Sequence, residues 1–172
     1  MSNPAFEGDS CSIVWTDLAA TTQAQPAVPV RSVRFLRTVM HSILRHLGSE
    51  LAREQAGLLF GRFDALSGAT VLDAHPIAEF TASLTHVRMD RRAWPAIWSV
   101  SAQRNPELAV VGWYHSHPGH GVYLSETDRR TQAAWFRRLD HIALVIDPVA
   151  QRMGVFCGPS GVSAEIVYID EV

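Results

Sequence analysis

The stretch from Val110 to Asp128 constrains this chain more than any other. An apolar run of strand type, Leu108–Tyr114, delivers two histidines, His115 and His117, one residue apart. In extended backbone the side chains at i and i+2 project to the same side, so the two imidazoles can converge on one ion. Pro118 cannot donate to a β-ladder and ends the strand. The Gly119–Gly121 loop then lets the chain turn back, so that Asp128 can reach the same ion. Two imidazoles, a carboxylate and one open position are the ligand pattern of catalytic zinc, although manganese or iron would tolerate the set. A second reading stands beside it. Ser125-x-x-Asp128 at the start of a helical pattern is also a capping box, and His-x-His pairs occur on solvated strands. The two are compatible, because a helix N-terminus positions Asp128 and leaves the Ser125 hydroxyl near the ion.

Hydrolysis also needs a base that takes a proton and returns it to the leaving group. Glu54 fits best, since Glu54-x-x-Gly57 places it just before a buried strand; the alternative is a solvated loop acid. A fourth protein ligand would close the site, so His120 reads as a rim histidine. His41, His46, His75, His86 and His141 share no ligand spacing and are expected at the surface or at strand ends. Trp113 is expected to pack beside the site, and Trp94, Trp98, Trp135 and Phe136 in the core. Arg129, Arg130, Arg137 and Arg138 line a helix beside the site and read as a solvated face open to an acidic partner. Cys157, in a strand, reads as a buried small residue.

The chain around this stretch supports one domain. At 172 residues it can bury a sizeable core. Its net charge of −2 gives no field for nucleic acid, and no apolar stretch approaches a membrane span. No basic segment followed by an apolar core opens the chain, and the two cysteines are far apart, so a cytoplasmic location is expected. All 15 basic residues are arginine. That bias reads either as genome composition or as avoidance of lysine by a protein working beside a lysine-modifying machinery.

Residues 1–30 read as a partly extended N-terminal arm with one strand-like piece, Ser12–Trp15; the catalytic core is expected over 31–172. A strand at Val33–Phe35 leads to a helix over Arg37–Leu47, with Val39, Met40, Ile43, Leu44 and Leu47 on one face and Gly48 as the stop. Strands are expected at Ala56–Gly61 and Ala69–Ala78, paired through a turn at Asp64–Gly68. Thr81–Met89 has no firm period. A helix is expected within Asp90–Gln103 and another over Glu126–Leu139. Strands His141–Ile146, Gly154–Cys157 and Ala164–Ile169 follow. Interleaved elements with several hairpin-length connections predict an α/β chain of the α+β type, a mixed sheet flanked by helices.

Gly112-Trp113-Tyr114-His115-Ser116-His117-Pro118, continued by Ser125-x-x-Asp128, resembles the JAMM motif of MPN-domain metalloproteases. The similarity takes in Glu54-x-x-Gly57-Leu58-Leu59-x-Gly61 and Val145-Ile146-Asp147-Pro148, covers roughly residues 31–170, and is nearer the ubiquitin-isopeptidase type. It implies a curved MPN-like mixed sheet. It implies that His115, His117 and Asp128 bind zinc, that Glu54 is the general base, and that Ser125 hydrogen-bonds the oxyanion. Inactive relatives lose ligands or the glutamate; this chain keeps all five positions.

The same resemblance implies cleavage between the C-terminal glycine of a ubiquitin-like protein and a lysine amine. The modifier's tail would lie along a sheet edge as an added strand. The chain is short where family members that grip ubiquitin carry insertions, with Thr81–Met89 the one counterpart, so a partner or the arm would supply affinity. The arginine bias suggests a bacterial source. A ubiquitin-like operon with activating and conjugating enzymes, such as one used in antiviral defence, is then the expected setting. Two alternatives share the residues: a peptidase that trims a sulfur-carrier protein, and a metal-stabilised interaction module without activity.

Overall fold

Apolar residues on both faces of the central strands require a covering layer on each side, and the fold supplies two. The computed structural model describes residues 32–64, 68–77, 81–82, 87–88, 95, 99 and 107–170. The expected N-terminal arm lies outside the described residues, as do His86, Trp94 and Trp98. So does most of the helix expected within Asp90–Gln103, of which Pro95 and Ser99 are described and helical.

Strands β1 (Ser32–Leu36), β2 (Ala56–Asp64), β3 (Gly68–Pro76), β6 (Ala109–Ser116), β7 (Ile142–Asp147), β8 (Arg152–Cys157) and β9 (Val162–Ile169) form one closed sheet, ordered β1-β3-β2-β6-β7-β8-β9. It closes where β1 pairs in parallel with β9, in register Ser32↔Glu165 to Leu36↔Ile169. Pairs β1–β3 and β6–β7 are also parallel and the others antiparallel. This is the expected mixed sheet. The unpatterned Thr81–Met89 contains two short strands, β4 (Thr81–Ala82) and β5 (Val87–Arg88), paired with each other.

Helix α1 (Arg37–Leu47) has the expected bounds and buries Val39, Met40, Ile43 and Leu47. Those side chains join Val33 and Phe35 of β1, Leu59 and Phe63 of β2, Val111 and Tyr114 of β6, and Ile142, Leu144 and Ile146 of β7 in one apolar cluster. The alternate residues Leu58, Phe60, Val110, Trp113, Ala143 and Val145 turn to the other face and meet Leu124 and Phe136, which flank helix α2 (Glu126–Trp135). A bulge sets the phase of β6. Leu59 pairs with Gly112 but Phe60 with Val110, so Val111 has no partner and Val110 shares a face with Trp113.

Helix α2 is shorter than the expected Glu126–Leu139. Phe136 leaves the helical region at φ −117° and ψ 68° and buries its ring parallel to Trp113. Beyond it, the Arg138 N–H is taken by His141 Nδ1. Fully burying a phenylalanine is worth about 1.5–3 kcal/mol, more than the few tenths that another helical turn of this polar sequence would add. Two further expectations change. Arg138 is half-buried, paired with the buried Asp140 at 2.8 Å and stacked 4.2 Å over Phe63, so it is no member of a solvated face. His141 stands at a strand end but is buried beside Phe63 and Phe136, which pushes its pKa down to about 3.

Candidate metal centre

Pairing of β2 with β6 brings Glu54 and the histidines together although some sixty residues separate them. The register runs Gly57↔Tyr114 and Ala56↔His115. One step further, Ser116 N–H donates to Gln55 O at 2.9 Å and Gln55 N–H to Ser116 Oγ at 2.9 Å. The next step faces Glu54 towards His117, with Glu54 Oε1 3.8 Å from His117 Nε2. Gly57 is required here, because a Cβ on it would collide with the His75 carbonyl oxygen and the Tyr114 hydroxyl.

His115 and His117 follow Trp113 on one side of β6, and all three are buried. The Trp113 ring stacks on His115 with centroids 4.3 Å apart. Its indole N–H donates to Gln132 Oε1 at 2.7 Å, and the Gln132 amide donates to the carbonyls of His141 and Gly158. Trp113 therefore packs beside the site as expected, and Gln132, buried on α2 one turn after Asp128, fixes the ring that supports a histidine.

The chain leaves the strand at His117, whose N–H donates to Ile146 O. It turns through Gly119 and Gly121, both at positive φ (76° and 87°), a region that favours glycine. Asp147 holds this loop. Its buried carboxylate accepts the N–H groups of Gly119 (2.9 Å), Gly121 (2.8 Å), Val149 (3.0 Å) and Ala150 (3.0 Å). Burial pushes the Asp147 pKa up, but these amides outweigh it and bring it to about 2. His120 is exposed on the loop, as a rim residue should be.

The loop ends at Ser125, the N-cap of α2. Both halves of the capping box form: Asp128 N–H donates to Ser125 Oγ at 3.2 Å, and Ser125 N–H to Asp128 Oδ2 at 2.7 Å. The cap and ligand readings thus coexist in one carboxylate. Asp128 Oδ2 lies 3.4 Å from His115 Nε2 and 3.4 Å from His117 Nε2.

One ligand atom from each of His115, His117 and Asp128 lies within 4.8 Å of the others, and all three residues are buried. Zinc bonds of about 2.0–2.1 Å at tetrahedral angles would put neighbouring donors about 3.3 Å apart, close to the two Asp128–histidine separations. Both ring nitrogens of His115, His117 Nδ1 and Asp128 Oδ1 are buried with no hydrogen-bond partner among the described residues. Such orphaned groups each cost about 1–3 kcal/mol, a cost that a cation shared by the cluster would offset in part, since it takes one nitrogen from each imidazole. Burial pushes the His115 pKa down, towards the neutral imidazole that a ligand must be. For His117 the carboxylates of Asp128 and Glu54 outweigh burial and raise it. Burial would raise Asp128, but contact with the two histidines holds it well below the usual carboxylate range. The donor set fits a zinc ion.

Sequence reasoning passed over Gln132 and named Asp147 within the family similarity without giving it a role. A polar residue four places from Asp128 on the buried side of its helix, and an aspartate at a strand end before proline, were the available signals.

The family described as prokaryotic homologs of the JAB domain (Prok-JAB) matches residues 36–157. The 26S proteasome regulatory subunit RPN11 of Encephalitozoon cuniculi is 28% identical over 135 residues, covering 78% of this chain and 44% of that protein. The ubiquitin carboxyl-terminal hydrolase RPN11 of Saccharomyces cerevisiae is 30% identical over 114 residues, 65% of this chain and 37% of that protein. The chain therefore spans less than half the length of these relatives. The solution structure of protein DSY2949 from Desulfitobacterium hafniense superposes with a TM-score of 0.66 at 24% identity, covering 81% of this chain and 94% of that one. Among the described residues no helix is long and apolar enough to cross a membrane.

Proposed function

The chain belongs to the family of prokaryotic homologs of the JAB domain, and from that premise we propose that it is a zinc-dependent isopeptidase acting on a ubiquitin-like modifier. The observation that carries the reading is the buried cluster itself: three ligand atoms within 4.8 Å of one another, with Glu54 3.8 Å from His117. Likeness to a ubiquitin carboxyl-terminal hydrolase supports the substrate class, a bond at the carboxyl terminus of a ubiquitin-like protein.

His115 and His117 each contribute an imidazole nitrogen to the ion and Asp128 a carboxylate oxygen. Bound zinc would polarise the scissile carbonyl and acidify a water. Glu54 takes the proton from the attacking water on its carboxylate and delivers it to the departing lysine amine. The Ser125 Oγ accepts from Asp128 N–H, which leaves its own O–H to donate to the oxyanion. Trp113 and Gln132 hold His115 in place, and the Asp147 nest holds the loop between the second and third ligands. The proposed setting is a bacterial cytoplasm, in an operon encoding the modifier with its activating and conjugating enzymes and serving antiviral defence. Neighbouring genes of those kinds would support it, and a neighbourhood without them would remove it.

The test is a lysine peptide joined through its ε-amine to the C-terminal glycine of a ubiquitin-like protein, followed by mass spectrometry. Zinc-loaded protein is expected to release the intact modifier and the lysine peptide with its ε-amine free. Glu54→Gln should retain zinc and lose at least about 100-fold in turnover. Unchanged turnover in that variant would remove Glu54 as the base. Cleavage of a C-terminally extended precursor but not of the conjugate would make the protein a processing peptidase instead. Tight zinc binding with neither activity would leave the interaction module.

A further inference from the structure

We infer that Gln55 is the positioning residue for Glu54, acting through a closed ring of contacts with Ser116, Tyr114 and His46. The inference rests on the reading of Glu54 as the base. Glu54 follows an exposed segment without regular structure, Leu51–Arg53, yet is itself only 3% exposed and ends 3.8 Å from His117 Nε2. Something must hold the chain at that point.

Strand alternation supplies it. Trp113, His115 and His117 project from one side of β6, leaving Tyr114 and Ser116 on the other. Ser116, between the two histidines, accepts the Gln55 N–H on its hydroxyl and donates its own N–H to Gln55 O, each at 2.9 Å. The Gln55 side chain reaches the other way, where its Nε2 donates to His46 O at 3.0 Å in the last turn of α1. The His46 ring in turn meets the Tyr114 hydroxyl, Nδ1 to Oη 3.0 Å. The ring Tyr114–His46–Gln55–Ser116 therefore begins and ends on β6, two residues apart, and encloses the step before Gly57. One side of the strand holds the ligands while the other fixes the residue next to the base. A displacement of about 1 Å in a reacting group can cost about 100-fold in rate, so the amide at position 55 controls turnover without touching substrate or metal.

Gln55→Ala removes the tie to α1 and leaves every ligand and the Ser116 exchange in place. Ser116→Ala removes the hydroxyl half of the other tie and leaves the Ser116 N–H to Gln55 O bond. Both are compared with Glu54→Gln in the full chain by zinc affinity, kcat and KM on the lysine isopeptide conjugate, and amide hydrogen exchange over residues 50–56. The expected result for Gln55→Ala is kcat lowered about 10- to 100-fold, zinc affinity and KM within about twofold, and faster exchange over 50–56. A variant that was merely destabilised would lose zinc in step with kcat, and that result would overturn the inference. Wild-type kcat in Gln55→Ala while Glu54→Gln is inactive would overturn it and leave the base reading standing. Full turnover in Glu54→Gln would overturn both. Unchanged exchange over 50–56 in Gln55→Ala would overturn it without reference to activity.

Discussion

Replacing Asp147 with asparagine should loosen the loop between His117 and Asp128 without touching a metal donor. Asp147 Oδ1 accepts from Gly119, Val149 and Ala150, and Oδ2 from Gly121. The asparagine oxygen can keep the three-bond side, so the damage falls on Oδ2, where an NH2 group would face the Gly121 N–H. A charge-assisted hydrogen bond is worth about 1.5–3 kcal/mol, and an unsatisfied buried donor costs about 1–3 kcal/mol. Together they predict a loss of about 2.5–6 kcal/mol, or a melting temperature lower by about 5–24 °C for a chain of this size. The assay is urea and thermal unfolding of zinc-free wild type and Asp147→Asn, with zinc affinity measured alongside. The pH dependence gives a second handle. The folded-state pKa, about 2, lies below the unfolded value of about 3.9. The carboxylate's contribution is therefore full above about pH 4 and is lost as pH falls through about 2. The stability gap between the two proteins should be constant at neutral pH and narrow on acidification across that window. Equal stability at neutral pH, or a gap unchanged by acid, would refute the nest as the loop's anchor.

Asp128→Ala removes a donor and half of the capping box, so zinc affinity should fall by more than the about 10- to 100-fold typical of supporting residues; tight binding measured by calorimetry would contradict the ligand set. Trp113→Phe keeps the stacking face but deprives Gln132 Oε1 of its donor, at a cost of about 1–3 kcal/mol. Unfolding in urea with unchanged m-value is the measurement, and a melting curve superposable on wild type would show that the Trp113–Gln132 bond does not support His115. Zinc added to the apoprotein should raise its melting temperature in proportion to the logarithm of free zinc, a response that Asp128→Ala should lack.

Much of the candidate site could be read from the chain because its chemistry is local. His115 and His117 need only an extended strand, and Ser125 and Asp128 only a helix start, to be placed correctly. What escaped is side chain to backbone bonding across long separations. Nothing near Asp147 announces that its carboxylate will be filled by the amides of Gly119 and Gly121, and nothing near Gln132 announces an indole partner on β6. The length of α2 was misjudged for a related reason: the pattern through Leu139 is helical, but burying Phe136 against Trp113 gains more than another turn. The turning inward of Arg138 and His141 follows from the same event. Pairing of β2 with β3 followed from two apolar runs and a turn, whereas the pairing of β2 with β6 and the closure of β1 onto β9 depend on matches between distant segments that no local pattern encodes.

That closure bears on how the protein folds. Pairing Ser32 with Glu165 demands that nearly the whole described chain be gathered before its first hydrogen bond forms, and such distant pairings slow folding. The candidate metal-site residues, by contrast, lie between positions 54 and 128 and come together through the antiparallel β2–β6 pairing and one helix cap. Sealing the barrel is therefore the step expected to set the pace of folding, with the seam between β1 and β9 the last to gain amide protection during refolding.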